Sequence, residues 1–142
     1  MEQMEESELR GFAHLSERGD LVRRRSEVVI ANRLHVHGID YVYEQPFSTN
    51  QGHTLYPDFT ITDDSRGITF YWEHLMALDD PRYRELCQRN HAKYLVAGIV
   101  PWQLGGGPNG TLIETSDGAA DVIDPAKVDR LIEGVIVGYP SR

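Results

Sequence analysis

An α/β domain with one mixed sheet flanked by helices is predicted, and three observations predict it. Residues 40–75 hold segments rich in aromatic and β-branched residues, separated by turn residues. Helical patterns with capping residues lie on either side of that region, around 21–37, 79–93 and 124–135. "YLVAGIV" (94–100) is a continuous apolar run of the kind a strand buried on both faces carries. At 142 residues, the length suits a single core with helices on its faces.

Each element follows from local chemistry. From Leu21 to His37 the pattern is helical, and Gly38 is a C-terminal stop. Glu27, Ile30, Ala31 and Leu34 share one stripe of that helix, so a carboxylate sits on the core-facing side. "DYVYEQPF" (40–47) alternates as a strand and ends at Pro46. "TLYPDFTI" (54–61) and "GITFYWEHL" (67–75) are two further strands around the turn-rich "TDDSRG". "DDPRYRELCQRNHAK" (79–93) reads as a helix capped by Asp80, with Pro81 in its first turn. After the apolar strand come a loop (101–110), a short strand "TLIET" (111–115) and a last helix capped by Asp124. The order is α-β-β-β-α-β, then a short strand and a C-terminal helix. Residues 1–18 are expected to form an acidic segment, helical or loose, ahead of a domain spanning 19–142.

Composition narrows the function classes. The formal net charge is −8, which argues against a general nucleic-acid binder. Half of it comes from residues 1–17, where five glutamates face only Arg10. No apolar run approaches the ~20 residues of a membrane span. The lone cysteine, Cys87, cannot form an internal disulfide and points to a reducing cytoplasm. No local signature marks it as a nucleophile.

The acids carry the most information. If the second hairpin turns at Ser65-Arg66, Asp58 falls opposite Glu73 on one face of the sheet. Two carboxylates so placed repel, and a divalent cation would turn that penalty into a binding site. The alternative for Glu27 is that it marks the edge of its stripe and pairs with an arginine.

An acid on the first helix, an acid after proline in the second strand and an acid in the third resemble the PD-(D/E)XK nuclease superfamily. "RRRSEVVIANRLHVHGIDYVYEQPF", "YPDFTI", "YWEHLMALDDPRYRELCQ" and "IETSDGAADVIDPAKVDRLI" are similar, in order and spacing, to the nuclease domain attached to bacterial DNA helicase-like ATPases. The resemblance covers about residues 23–137. It implies a restriction-endonuclease-like core and a DNA nuclease, cytoplasmic, acting beside a helicase-like or anti-phage defence partner. It also implies Mg²⁺ or Mn²⁺ held by Asp58, Glu73 and the main-chain carbonyl of His74, with Glu27 acting through water or a second ion. Such an ion activates a bound water for attack on phosphorus. Leu75 stands where many such nucleases carry lysine, Met76 where relatives have glycine, and Asn90 where they carry a lysine on the second helix. Lys93, three residues on, is the candidate substitute. The competing reading is a weakened nuclease fold that binds a protein or positions DNA.

Other features carry less. Arg23, Arg24, Arg25 and Arg33 either contact phosphates or form a solvated face. His35 and His37 would chelate metal only on a strand or loop, and a helix end leaves them solvated. His74 alternates away from Glu73, so its ring is expected to pack or hydrogen-bond elsewhere. His53 and His91 lack partners at zinc-ligand spacing. "GGGPNG" (105–110) lacks the Lys-Ser/Thr of a phosphate loop and reads as a turn. Trp72 and Trp102 read as packing residues.

Overall fold

The computed structural model describes residues 14–76, 78–118 and 121–139. They fall into two compact units, one built from the described residues up to Asp40 and from Gly118 to Gly138, the other from Tyr41–Asp117 together with Tyr139.

The first unit opens with a hairpin of β1 (His14–Leu15) and β2 (Leu21–Val22), which pairs Leu15 with Leu21. Of the expected acidic segment, residues 1–13 lie outside the described residues. Residues 14 and 15 are strand, because Leu21-Val22 offers an antiparallel partner across a turn closed by the Ser16 and Asp20 side chains. Helix α1 (Arg25–Val36) therefore starts four residues later than its periodicity suggests. Gly38, at φ +70°, ends it as expected, with the Gly38 and Ile39 amides on the His35 and Leu34 carbonyls. Helix α3 (Pro125–Leu131) is capped by the Asp124 side chain, which accepts the Ala126 amide, and it runs on into a π-helical turn over Ile132–Val137. Ser26 accepts the Ile123 amide, and Ile30, Ala31, Leu34, Val128 and Ile132 are fully buried. Asp129 of α3 accepts from Arg33 at 2.7 Å and lies 3.1 Å from the His37 ring. The helix-end histidines are thus only half solvated: His35 is exposed, while His37 has an acidic partner.

The second unit is a five-stranded mixed sheet with a helix on it, in the order Val42–Tyr43 (β3), Phe59–Asp63 (β6), Ile68–Leu75 (β7), Gly110–Ser116 (β9) and Ile99–Pro101 (β8). Strands β3, β6 and β7 are antiparallel, and β9 runs parallel to both β7 and β8. The small hairpin of β4 (Phe47–Ser48) and β5 (Thr54–Leu55) interrupts two segments expected as single strands. The first breaks at Glu44, which sits in the left-handed region at φ 51°. The β6–β7 hairpin turns where the sequence places it, pairing Asp63 with Ile68 and Phe59 with Trp72. Asp63 clamps this turn by accepting from Ser65 and Arg66.

Helix α2 (Pro81–Val96) begins as expected, with the Asp80 carboxylate accepting the Arg82 amide. It ends later than expected, and this corrects the reading of "YLVAGIV" as one strand. Tyr83, Cys87, His91 and Tyr94 continue a single helical face, so the helix takes Tyr94–Val96; Gly98 (φ +80°) then reverses the chain before Ile99. Tyr94 packs with Leu55, Ile99 and Leu112 into the core on this side of the sheet. The glycine stretch after β8 is a turn. A Cβ on Gly107 would come within 2.2 Å of the Gly98 carbonyl oxygen, so only glycine fits that path.

Candidate functional site

The site forms on the face of the sheet that α2 covers. Along β7 the residues alternate strictly: Ile68, Phe70, Trp72 and His74 are buried, while Thr69, Tyr71, Glu73 and Leu75 are half-buried. Asp58 immediately precedes β6, and one further step of the β6–β7 register puts it opposite Glu73. The parallel register of β9 puts Glu114 beside Glu73 on the other side. Three carboxylates therefore lie in a row across adjacent chain segments, where like charges on directly opposed residues destabilise a sheet.

Each acid is held by a specific donor. The Asp58 carboxylate accepts the His74 amide at 2.6 Å, and the Asp58 carbonyl accepts the amide of Glu44. Glu73 accepts the Tyr94 hydroxyl at 3.0 Å. Glu114 lies 2.9 Å from Nδ1 of His91. Burial first, and then the charge of Glu73, push the Tyr94 phenol upward; the Asp58 and Glu114 charges push the same way. Tyr94 thus remains a neutral donor to Glu73. The Cys87 thiol is likewise pushed up, by burial first and with contributions from Glu73 and Glu114, so it is not an activated nucleophile. Beside the row is a cleft of about 290 Å³ whose lining includes Leu75, Leu78, Cys87, His91 and Glu114.

The expected residues fall out as follows. Asp58 and Glu73 come together. The His74 ring turns away, as its parity predicts, and bonds Thr115 and Asp117 at 2.8 Å each. Trp72 is fully buried and donates to Thr115. Asn90 and Lys93 are half-buried on α2, and Lys93 forms no ion pair with a described residue. Glu27 belongs to the first unit. It is fully buried on its stripe, accepts the Arg23 amide at 3.2 Å, and has the Arg24 guanidinium 3.8 Å away. Arg33 is engaged by Asp129, whereas Arg23 and Arg25 are exposed.

Tyr94, His91 and Glu114 are the additions. The helical spacing 83-87-91-94 is the signal that could have put Tyr94 and His91 on the sheet-facing side of α2. Nothing local marks Glu114, because its place beside Glu73 depends on the parallel pairing of β9 with β7.

Among the described residues, no three His, Cys, Asp or Glu side chains group closely enough to enclose an ion. Mg²⁺ does not need such a cage, since it is commonly held by one or two carboxylates, with water and phosphate oxygens completing its shell. The Asp58–Glu73 pair, half-buried and all-oxygen, fits that mode. No helix among the described residues is long and apolar enough to cross a membrane. Comparison with protein-family models, curated proteins and solved structures finds no match to this chain.

Proposed function

We propose that this chain is a metal-dependent DNA nuclease that hydrolyses phosphodiester bonds at the Asp58–Glu73 row. The observation that carries the reading is the β6–β7 register, which extends to set Asp58 opposite Glu73 with Glu114 next in line. A sheet tolerates such a row at a cost, and a bound cation relieves it. Asp58 and Glu73 would hold Mg²⁺ or Mn²⁺, and the resemblance adds the main-chain carbonyl of His74. Such an ion, when bound, would supply an activated water and stabilise charge at phosphorus. The chain's own residues orient the donors: the His74 amide fixes the Asp58 carboxylate, and the Tyr94 hydroxyl fixes Glu73. DNA as substrate, and a helicase-like or defence partner beside it, rest on the four motifs rather than on charge.

The test incubates purified protein with single- and double-stranded DNA and RNA in Mn²⁺, Mg²⁺ or EDTA. DNA cutting in metal, abolished by Asp58→Ala and by Glu73→Ala, is expected. Lys93→Met should lower cutting by about 10²-fold, the scale of losing one donor to the developing charge. Cutting unchanged in Lys93→Met would remove that residue from the site. A folded protein that cuts nothing under any condition would support the weakened, binding-only reading.

A further inference from the structure

The pairing of His91 with Glu114 assigns chemistry to a ring that spacing alone leaves idle. Glu114 is an acceptor, so the Nδ1 atom facing it at 2.9 Å carries the proton. In the neutral ring the lone pair then resides on Nε2. The His91 side chain is 35% exposed and lines the 290 Å³ cleft. Glu114 is the register partner of Glu73, which places this histidine pair one strand from the Asp58–Glu73 row. The other charged or titratable groups lining the cleft are Arg84 and Cys87, both on α2.

We infer that His91, held in one tautomer by Glu114, is the proton acceptor for the water that attacks the phosphodiester. The inference rests on the nuclease reading and adds a proton acceptor to it. In the step, the water oxygen forms a bond to phosphorus, and the bond from phosphorus to the leaving oxygen breaks with its electron pair. One water proton passes to Nε2 of His91. The leaving oxygen takes a proton from solvent, and His91 returns its proton to solvent before the next turnover. Glu114 acts through His91 and is a positioning residue.

The experiment measures cutting of a DNA duplex in Mn²⁺ by the full chain and by His91→Ala, His91→Gln and Glu114→Gln. The histidine variants should lose about 10²–10⁴-fold, the usual worth of a general base. Glu114→Gln should lose less. Added imidazole should restore His91→Ala in proportion to its free-base concentration. His91→Gln keeps a donor for Glu114 but has no basic nitrogen, so it separates loss of the base from loss of structure. Independently of activity, long-range ¹H–¹⁵N spectra should show His91 protonated at Nδ1 in the wild type and mixed in Glu114→Gln. Cutting by His91→Ala within threefold of wild type overturns the inference. So does a loss that imidazole leaves untouched while melting and Mn²⁺ uptake match wild type, and so does a ring protonated at Nε2. A wild-type protein that cuts nothing overturns the nuclease reading itself, whereas an active wild type with an indifferent His91 overturns only this assignment.

Discussion

The two faces of β7 differ by one residue of register and carry opposite designs. On one face Phe70, Trp72 and His74 are buried, and their polar atoms end in a closed network: the Trp72 indole and the His74 ring both reach Thr115, and His74 also reaches Asp117. On the other face Tyr71, Glu73 and Leu75 are half-buried, and Glu73 lies between Asp58 and Glu114. The first arrangement minimises the cost of burying polar atoms, because every donor finds an acceptor. The second accumulates like charge where a sheet prefers neutral or opposite pairs. A row of acids that costs stability and stays reachable by solvent is what a functional site needs and a core avoids.

Substitutions on each face test the contrast. The largest effect on stability is expected on the closed face, where Trp72→Ala should lower unfolding free energy by about 3–5 kcal/mol, read from urea denaturation. A loss below about 1 kcal/mol would mean that this face is not the packed one. A smaller effect of opposite sign is expected across the strand. Glu73→Gln keeps an acceptor for the Tyr94 hydroxyl and removes one charge from the row, so it should stabilise by roughly 0.2–1 kcal/mol while cutting is lost. Destabilisation by that change would show that the row is not repulsive.

The smallest effect lies at the turn that sets the register of both faces. Bonds from Ser65 and then Arg66 hold the Asp63 carboxyl below its ordinary 3.8, at about 2. A depressed carboxylate stabilises the fold above its unfolded value and loses that contribution as pH falls through the folded one. Melting temperatures of wild type and Asp63→Asn should therefore differ at pH 5 and converge as pH falls from about 4 toward about 2. A difference that persists unchanged at pH 2 would assign the effect to geometry instead of charge.

Much of the architecture is legible in the sequence. Asp80 and Asp124 cap their helices as their placement before proline suggests, because a side-chain oxygen at that position satisfies an otherwise orphan amide. The "TDDSRG" turn set the pairing that brings Asp58 to Glu73, since hairpin register follows from the turn. The run at 94–100 misled, because apolar composition alone does not distinguish a strand from the last turn of a helix. Glu27 lies within the buried stripe rather than at its edge, with the Arg24 guanidinium 3.8 Å away.

Local sequence suffices for the starts of α2 and α3, the β6–β7 hairpin and two of the three acids in the row, because caps, turns and alternation act over a few residues. Only the tertiary structure decided that Glu114 completes the row and that His91 and Tyr94 face it. The spacing along α2 puts His91 and Tyr94 on one face, but which acids they meet, and the place of Glu114, follow from the parallel strand pairing and the seating of α2 on the sheet, which are long-range choices. "YPDFTI" and "GITFYWEHL" thus supply two of the acids and β9 the third, while the His74 amide and the α2 side chains Tyr94 and His91 hold them.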